Sequence, residues 1–179
     1  MSVLAGPFTI AAALLAIGGA LKAVRPRDTA RALTAVGLGL PGVPTRLLVR
    51  AGGATEVAVG IGALVTGDAV FAALVAASYA LFAGFVVVAL RTNAPISSCG
   101  CFGKVDTPPS AVHVVIDVAF AVVAVAAAVV GDVALPDVVA DQPLLGLPFL
   151  FLVLIGLSLV YLAFTSLPKT MAAVREVAA

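Results

Sequence analysis

Residues 97–103 read SSCGCFG and hold both cysteines of the chain, Cys99 and Cys101, one glycine apart. Two thiols at this spacing can close on each other if the backbone turns tightly, because bridged cysteines keep their Cα atoms about 4.4–6.8 Å apart. Gly100 and Gly103 supply the backbone freedom such a turn requires. The ring would be small and strained, and strained, exposed disulfides are the labile ones. A thiolate is further favoured by positive charge and by a helix N-terminus. Lys104 is close in sequence, and a helix is expected to begin after Pro108, Pro109 and Ser110, with Ser110 as its cap. The chemistry expected of Cys99 and Cys101 is therefore reversible dithiol–disulfide exchange. A metal reading uses the same thiolates with His113 and Asp106 or Asp117 as a four-ligand zinc site. Alternatively, the two thiolates alone would suit copper(I). Closed zinc sites usually space their cysteines by two or more residues, which weighs against the first of these. The plainest alternative is a structural role for two ordinary loop thiols.

Other ionisable residues fall within apolar surroundings. Glu56 lies in VRAGGATEVAVGIGALVTG, about a dozen residues past Pro44 and so near mid-bilayer at a rise of about 1.5 Å per residue. A charge at that depth is costly and is a functional candidate by default. Gly52, Glu56 and Gly60 recur every fourth residue, and small residues on one stripe let another helix approach closely. Glu56 is thus expected at a helix interface, with Lys22 or Arg50 as its partner; a pair with Arg50, on the same helix, would need a bend or a second chain. His113 and Asp117 are four apart and share a helix face. His113 could exchange protons during thiol chemistry, since imidazole titrates near neutrality. The plainer readings are a helix-locking ion pair at Glu56, and a histidine at headgroup level with Asp117 bound to a neighbouring helix.

The elements that position these residues follow from composition. The 179-residue chain is 63% hydrophobic and 11% charged, with a formal net charge of +1 and no tryptophan. This is a membrane composition. It gives no reason to expect a nucleic-acid partner, and two cysteines are too few for a disulfide scaffold. No GxxxxGK, HExxH or GxSxG motif occurs. A bilayer core of about 30 Å needs roughly 20 apolar residues in a helix. Five stretches qualify, at about residues 3–24, 47–66, 70–90, 111–130 and 145–167. The first lacks a basic n-region, so it reads as a membrane helix and not as a cleaved signal. Between the first two, residues 28–40 predict a short interfacial amphipathic helix capped by Asp28. The expected fold is an all-α polytopic membrane bundle forming one domain over residues 1–179, embedded in the lipid bilayer.

Charge sets an expected orientation. Lys22, Arg25, Arg27, Arg31, Arg46 and Arg50 cluster around the first connection, whereas Asp68 stands alone in the second and Asp132, Asp137 and Asp141 occupy the fourth. The positive-inside rule then puts the N-terminus outside, and the C-terminus and the cysteine segment in the cytoplasm.

These residues carry a resemblance. The chain resembles the MauE group of membrane proteins (methylamine utilisation protein MauE), which is related to the DoxX family. The matching features are GGALKAVRP with Lys22, a short amphipathic stretch, TEVAVGIGALVTG with Glu56, and CGCFG at residues 99–103. They cover about residues 8–130, with CGCFG the most specific. The family pattern often carries an arginine early in the fourth helix, where this chain has His113 and Asp117, so the resemblance assigns those two residues no role. It implies a four-helix DoxX-like core plus one C-terminal helix. It also implies residence in the bacterial cytoplasmic membrane and redox work with a thioredoxin-like partner outside it. The family's named role concerns maturation of a disulfide-rich enzyme subunit; no residue here points to methylamine itself.

Two functions are expected from this. One is a membrane thiol–disulfide redox protein using Cys99 and Cys101, supported by Lys22, Arg50, Glu56, Lys104, His113 and Asp117. The other is a non-catalytic maturation or transport module whose cysteines are structural or bind metal through Cys99, Cys101 and His113. A quinone between helices near Glu56, walled by Phe82, Phe85 and Phe120, is a third idea, and a homo-oligomer is allowed. A cytoplasmic cysteine loop and an external partner conflict, unless the loop dips into the bundle or the orientation is inverted.

Overall fold

Each of the five apolar stretches becomes a helix of membrane-crossing length. In the computed structural model these are α1 (Ala5–Val24), α3 (Thr45–Thr66), α4 (Ala69–Arg91), α5 (Ala111–Val130) and α7 (Leu147–Thr165). At 19–23 residues each, they measure about 30 Å, and apart from the terminal turns their backbone groups are bonded inside their own helix. Among the described residues there are also two short helices, α2 (Arg27–Ala35) and α6 (Leu135–Ala140), with a 3-10 turn at Pro143–Gly146 before α7. The structure describes residues 3–38, 42–92, 109–131, 133–168 and 170. Cys99, Cys101 and Lys104 lie outside them, as does Asp106.

The helices associate as two closely packed pairs, α1 with α3 and α4 with α5, and α7 lies against α1. The first pair is antiparallel. Gly19 of α1 faces Gly53 of α3, and Ala12 and Ala16 face Gly60. A Cβ added at Gly53 would sit 2.6 Å from the Gly19 carbonyl oxygen, and one at Gly60 would sit 2.6 Å from that of Ala12. In lipid there is no hydrophobic drive between helices, so close backbone approach of this kind is what holds them. The expected stripe is therefore corrected by one residue. Gly53, not Gly52, makes the contact; a Cβ at Gly52 would meet nothing within 4 Å.

A two-residue turn at Gly67 and Asp68 reverses the chain between α3 and α4. Asp68 Oδ1 accepts a hydrogen bond from the Val70 amide at 2.7 Å and so caps α4. Ala134, just past α5, packs against Gly67. The ends of α3 and α5 thus share one end of the bundle. The end of α1, the start of α3 and the start of α5 share the other, where α2 also lies. The end of α4 and the start of α5, between which the cysteines fall in sequence, lie at this α2 end.

The interfacial helix is shorter than expected. It runs from Arg27 to Ala35 with Pro26 at the N-cap position, so Asp28 falls inside its first turn and pairs with Arg31 instead of capping. Asp28 still favours the helix start through the dipole. Val36 closes the last turn and Gly37 follows at φ 76°, a left-handed angle that ends the helix before residue 40.

A single apolar cluster joins the elements. Phe8 and Leu15 of α1, Ala63 of α3, Val75 and Tyr79 of α4, Phe120 and Ala124 of α5, and Phe164 of α7 all contribute to it. The outer faces keep large apolar side chains exposed, among them Leu81, Val122 and Phe151, as a lipid-facing surface requires.

Candidate functional site: a buried ion pair and its cavity

Side chains in a helix lean toward its N-terminus. In the antiparallel α1–α3 pair, Lys22 therefore leans toward the membrane centre and Glu56 leans toward Lys22. Their charged ends meet, with Nζ of Lys22 2.5 Å from Oε2 of Glu56. Both side chains are largely withdrawn, at 8% and 15% exposure. No other donor among the described residues reaches Oε2. The ammonium also stands 4.1 Å above the centroid of the Phe82 ring of α4, a cation–π contact that strengthens when desolvated. Of the two partners expected for Glu56, the fold selects Lys22. Arg50 is exposed at the α2 end.

Glu56, Lys22, Tyr79, Phe82, Asp117 and Phe164 all border one small, partly open cavity of about 20 Å³. That is room for about one water molecule, which needs roughly 10–15 Å³ measured this way. It is far below the roughly 300 Å³ or more of a ligand pocket. Of the three aromatics considered for a quinone site, Phe82 borders the cavity and holds the ammonium. Phe120 packs at 5.1 Å on Tyr79 in the core.

Asp117 and His113 are both buried, at 2% exposure each. The repeat His113, Asp117, Phe120, Ala124 and Ala127 is the buried seam of α5, which places the aspartate in the bundle interior. His113, in the first turn of α5, is covered by protein. Its ring packs against Phe164 of α7 at 5.4 Å, and its Nδ1 shares a hydrogen bond of 2.9 Å with the Ser110 hydroxyl. Ser110 does occupy the N-cap position of α5, but its hydroxyl bonds the imidazole and not a backbone amide. This bond fixes His113 at the point where the cysteine segment joins α5.

The fold therefore gathers Lys22, Glu56 and Asp117 at one cavity, with His113 one turn before Asp117. Arg50 stands apart from that cavity. The candidate thiols Cys99 and Cys101, and Lys104, lie outside the described residues. Among the described residues no group of three His, Cys, Asp or Glu side chains could hold a metal ion. The metal alternative at Cys99, Cys101 and His113 has two of its ligands outside them.

Two residues of the site escaped the sequence reading. Tyr79 donates its phenolic hydrogen to the Ala11 carbonyl at 2.7 Å, tying α4 to α1 beside the cavity. Phe164, from the C-terminal helix, borders both the cavity and His113. A tyrosine in the middle of an apolar helix is a usable signal, since its hydroxyl needs a partner when buried. Replacing Tyr79 by phenylalanine keeps the ring and removes one buried hydrogen bond. We expect a loss of about 1 kcal/mol, read as a lowered thermal midpoint in detergent micelles. An unchanged midpoint would show that the bond adds nothing.

The model of the family described as methylamine utilisation protein MauE matches residues 2–131, which takes in α1 to α5. No curated protein and no solved structure matches the chain.

Proposed function

The chain belongs to the methylamine utilisation protein MauE family, and we propose that it acts there as a membrane thiol–disulfide carrier. The exchange runs between the Cys99–Cys101 pair and the disulfide of a thioredoxin-like partner. One cysteine, as thiolate, attacks a partner sulfur; the partner's S–S bond breaks and a mixed disulfide forms. The second cysteine attacks that mixed disulfide and releases the partner as a dithiol. The pair ends as a disulfide, having given up two electrons and two protons to the partner. The reverse reaction balances in the same way. Maturation of exported, disulfide-containing proteins is the process such a carrier serves, and the bacterial cytoplasmic membrane is its place.

The observation that carries this reading is the Cys-Gly-Cys spacing in the segment joining α4 to α5. The bundle end from which that segment leaves has buried acid–base groups beneath it. His113 and Asp117 lie one and two turns along α5, and Lys22 and Glu56 lie beside Asp117. Thiol exchange moves protons as well as electrons, and these groups would take and return them. Lys104, and Arg50 at the same end of the bundle, would favour the thiolate.

A second reading is a non-catalytic module in which Lys22 and Glu56 only lock α1 to α3 and the cysteines are structural or hold metal. The small volume beside the ion pair favours it, because a lock needs no room. One experiment separates the two: thiol labelling in intact cells with a membrane-impermeant reagent, with and without prior reduction. Labelling of Cys99 and Cys101 only after reduction is expected of an outward-facing carrier. In the same cells, Cys99→Ser/Cys101→Ser should shift the thiol state of a thioredoxin-like partner. Labelling only after permeabilisation, with no need for reductant, together with unchanged partner thiols in the double variant, would sink the carrier reading.

A further inference from the structure

Five arginines converge at the α2 end of the bundle. Arg25 follows α1, Arg27 and Arg31 stand on α2, and Arg46 and Arg50 open α3. All five are exposed, and all five line one half-open recess of about 1070 Å³. Asp28 is the only acidic residue on its wall among those described, and it pairs with Arg31. The other four guanidinium groups have no acidic partner among the described residues. Like charges held this close repel, and a concave wall of one sign concentrates counter-ions of the other.

A second recess of about 580 Å³ shares Arg27, Arg31 and Arg46 with the first. The start of α3 lies between the two, with Pro44 lining both. The Leu47 and Leu48 amides bond the Pro44 carbonyl, which leaves those of Thr45 and Arg46 without a partner within the helix, and the helix dipole adds positive potential there. Arginine forks, helix N-terminus and concavity all suit the same chemistry, a phosphate that accepts bidentate hydrogen bonds.

The surroundings point to a lipid phosphate. The recess opens at the ends of two membrane-crossing helices. Its wall also includes Val24 and Leu47, which are 71% and 59% exposed and continue into the lipid-facing sides of α1 and α3. A ligand with a phosphate at one end and acyl chains at the other meets both surfaces at once. At about 1070 Å³ the half-open recess is at least as large as sites for small ligands, about 300 to 1,000 Å³, and so has room for a glycerophosphate headgroup. We infer that this arginine recess is a binding site for the headgroup of an anionic phospholipid, held chiefly by Arg27, Arg31 and Arg46.

The test is native mass spectrometry of the full-length protein in detergent, titrated with cardiolipin, phosphatidylglycerol or phosphatidylcholine. The two anionic lipids should bind at least about ten-fold tighter than phosphatidylcholine. In Arg27→Gln/Arg31→Gln/Arg46→Gln that affinity should fall roughly a hundred-fold, about five-fold for each basic residue near a headgroup. Arg91→Gln, which removes an exposed charge at the end of α4, should leave it unchanged. If the triple variant does not fold, Arg46→Gln and Arg27→Gln singly should each weaken binding about five-fold. Unchanged affinity in the variants, equal loss in Arg91→Gln, or equal binding of phosphatidylcholine would overturn the site. Displacement of the lipid by inorganic phosphate at millimolar concentration would also overturn it, by revealing a free-anion site.

Discussion

Replacing Glu56 by leucine, with Lys22 left in place, is expected to destabilise the protein by about 3–5 kcal/mol, because it strands a buried ammonium among apolar helices. Lys22→Met should do the same by stranding the carboxylate. For a chain of this size the loss corresponds to a fall of roughly 10 °C in thermal midpoint. The double variant Lys22→Met/Glu56→Leu should recover most of that, since a buried ion pair replaced by apolar groups of similar volume is often neutral. The two positions touch at 2.5 Å, so their effects should be strongly non-additive. Midpoints followed by circular dichroism in one detergent would measure the cycle. Small, additive effects would mean that the ammonium and carboxylate reach water or lipid headgroups independently. The same variants divide chemistry from packing. A double variant that refolds but no longer changes the partner's thiol state assigns the pair to proton handling. One that regains both assigns it to helix docking.

The pairing of Lys22 with Glu56 was legible because lipid leaves a buried carboxylate so few options. This narrowed the partners to Lys22, at the end of the first membrane helix, and Arg50, which is six residues away on the same helix and would need a bend or a second chain; the fold then selects Lys22. The five spans and their order were legible for a similar reason: length and apolarity alone decide them. The exact stripe on α3 was not. A strict fourfold spacing selects Gly52, Glu56 and Gly60, but a helix turns about 100° per residue, so that row drifts around the axis. The spacing that stays on one face alternates three and four, and it runs Gly53, Glu56, Gly60. The same alternation on α5 collects His113, Asp117, Phe120, Ala124 and Ala127.

The convergence of Asp117 on the Lys22–Glu56 pair could not be read from local pattern, because it depends on how α5 is set against α1 and α3. Phe164 was hidden for another reason. Helix α7 is apolar all round, so no periodicity marks its inner face. It also lies beyond residue 131, outside the family match, yet it covers His113 and walls the cavity. Asp28 misled because proline can occupy the N-cap position itself, which moved the helix start two residues earlier than an aspartate cap would place it.

The neighbouring glycines Gly52 and Gly53 should respond to the same substitution with opposite signs. Gly52→Ala adds a methyl into open space and gains helix propensity, which should stabilise by about 0.5–1 kcal/mol. Gly53→Ala gains the same propensity, but its Cβ would lie 2.6 Å from the Gly19 carbonyl oxygen and 2.8 Å from the Ala23 amide nitrogen. Both atoms are backbone, so no rotamer change relieves the overlap, and α1 must move away from α3. Overpacking of this kind costs about 1–3 kcal/mol by itself. Here it also acts on the ion pair, because Lys22 Cβ would stand only 3.1 Å from the new methyl. Gly53→Val should therefore resemble Glu56→Leu in severity. Adding it to Lys22→Met/Glu56→Leu should cost less than adding it to the wild type, because the pair it would break is already gone. Thermal midpoints of Gly52→Ala and Gly53→Ala, measured side by side in one detergent, are the direct check. Shifts of the same sign would mean that α1 and α3 do not meet at Gly19 and Gly53, and the buried position of Glu56 would then need another cause.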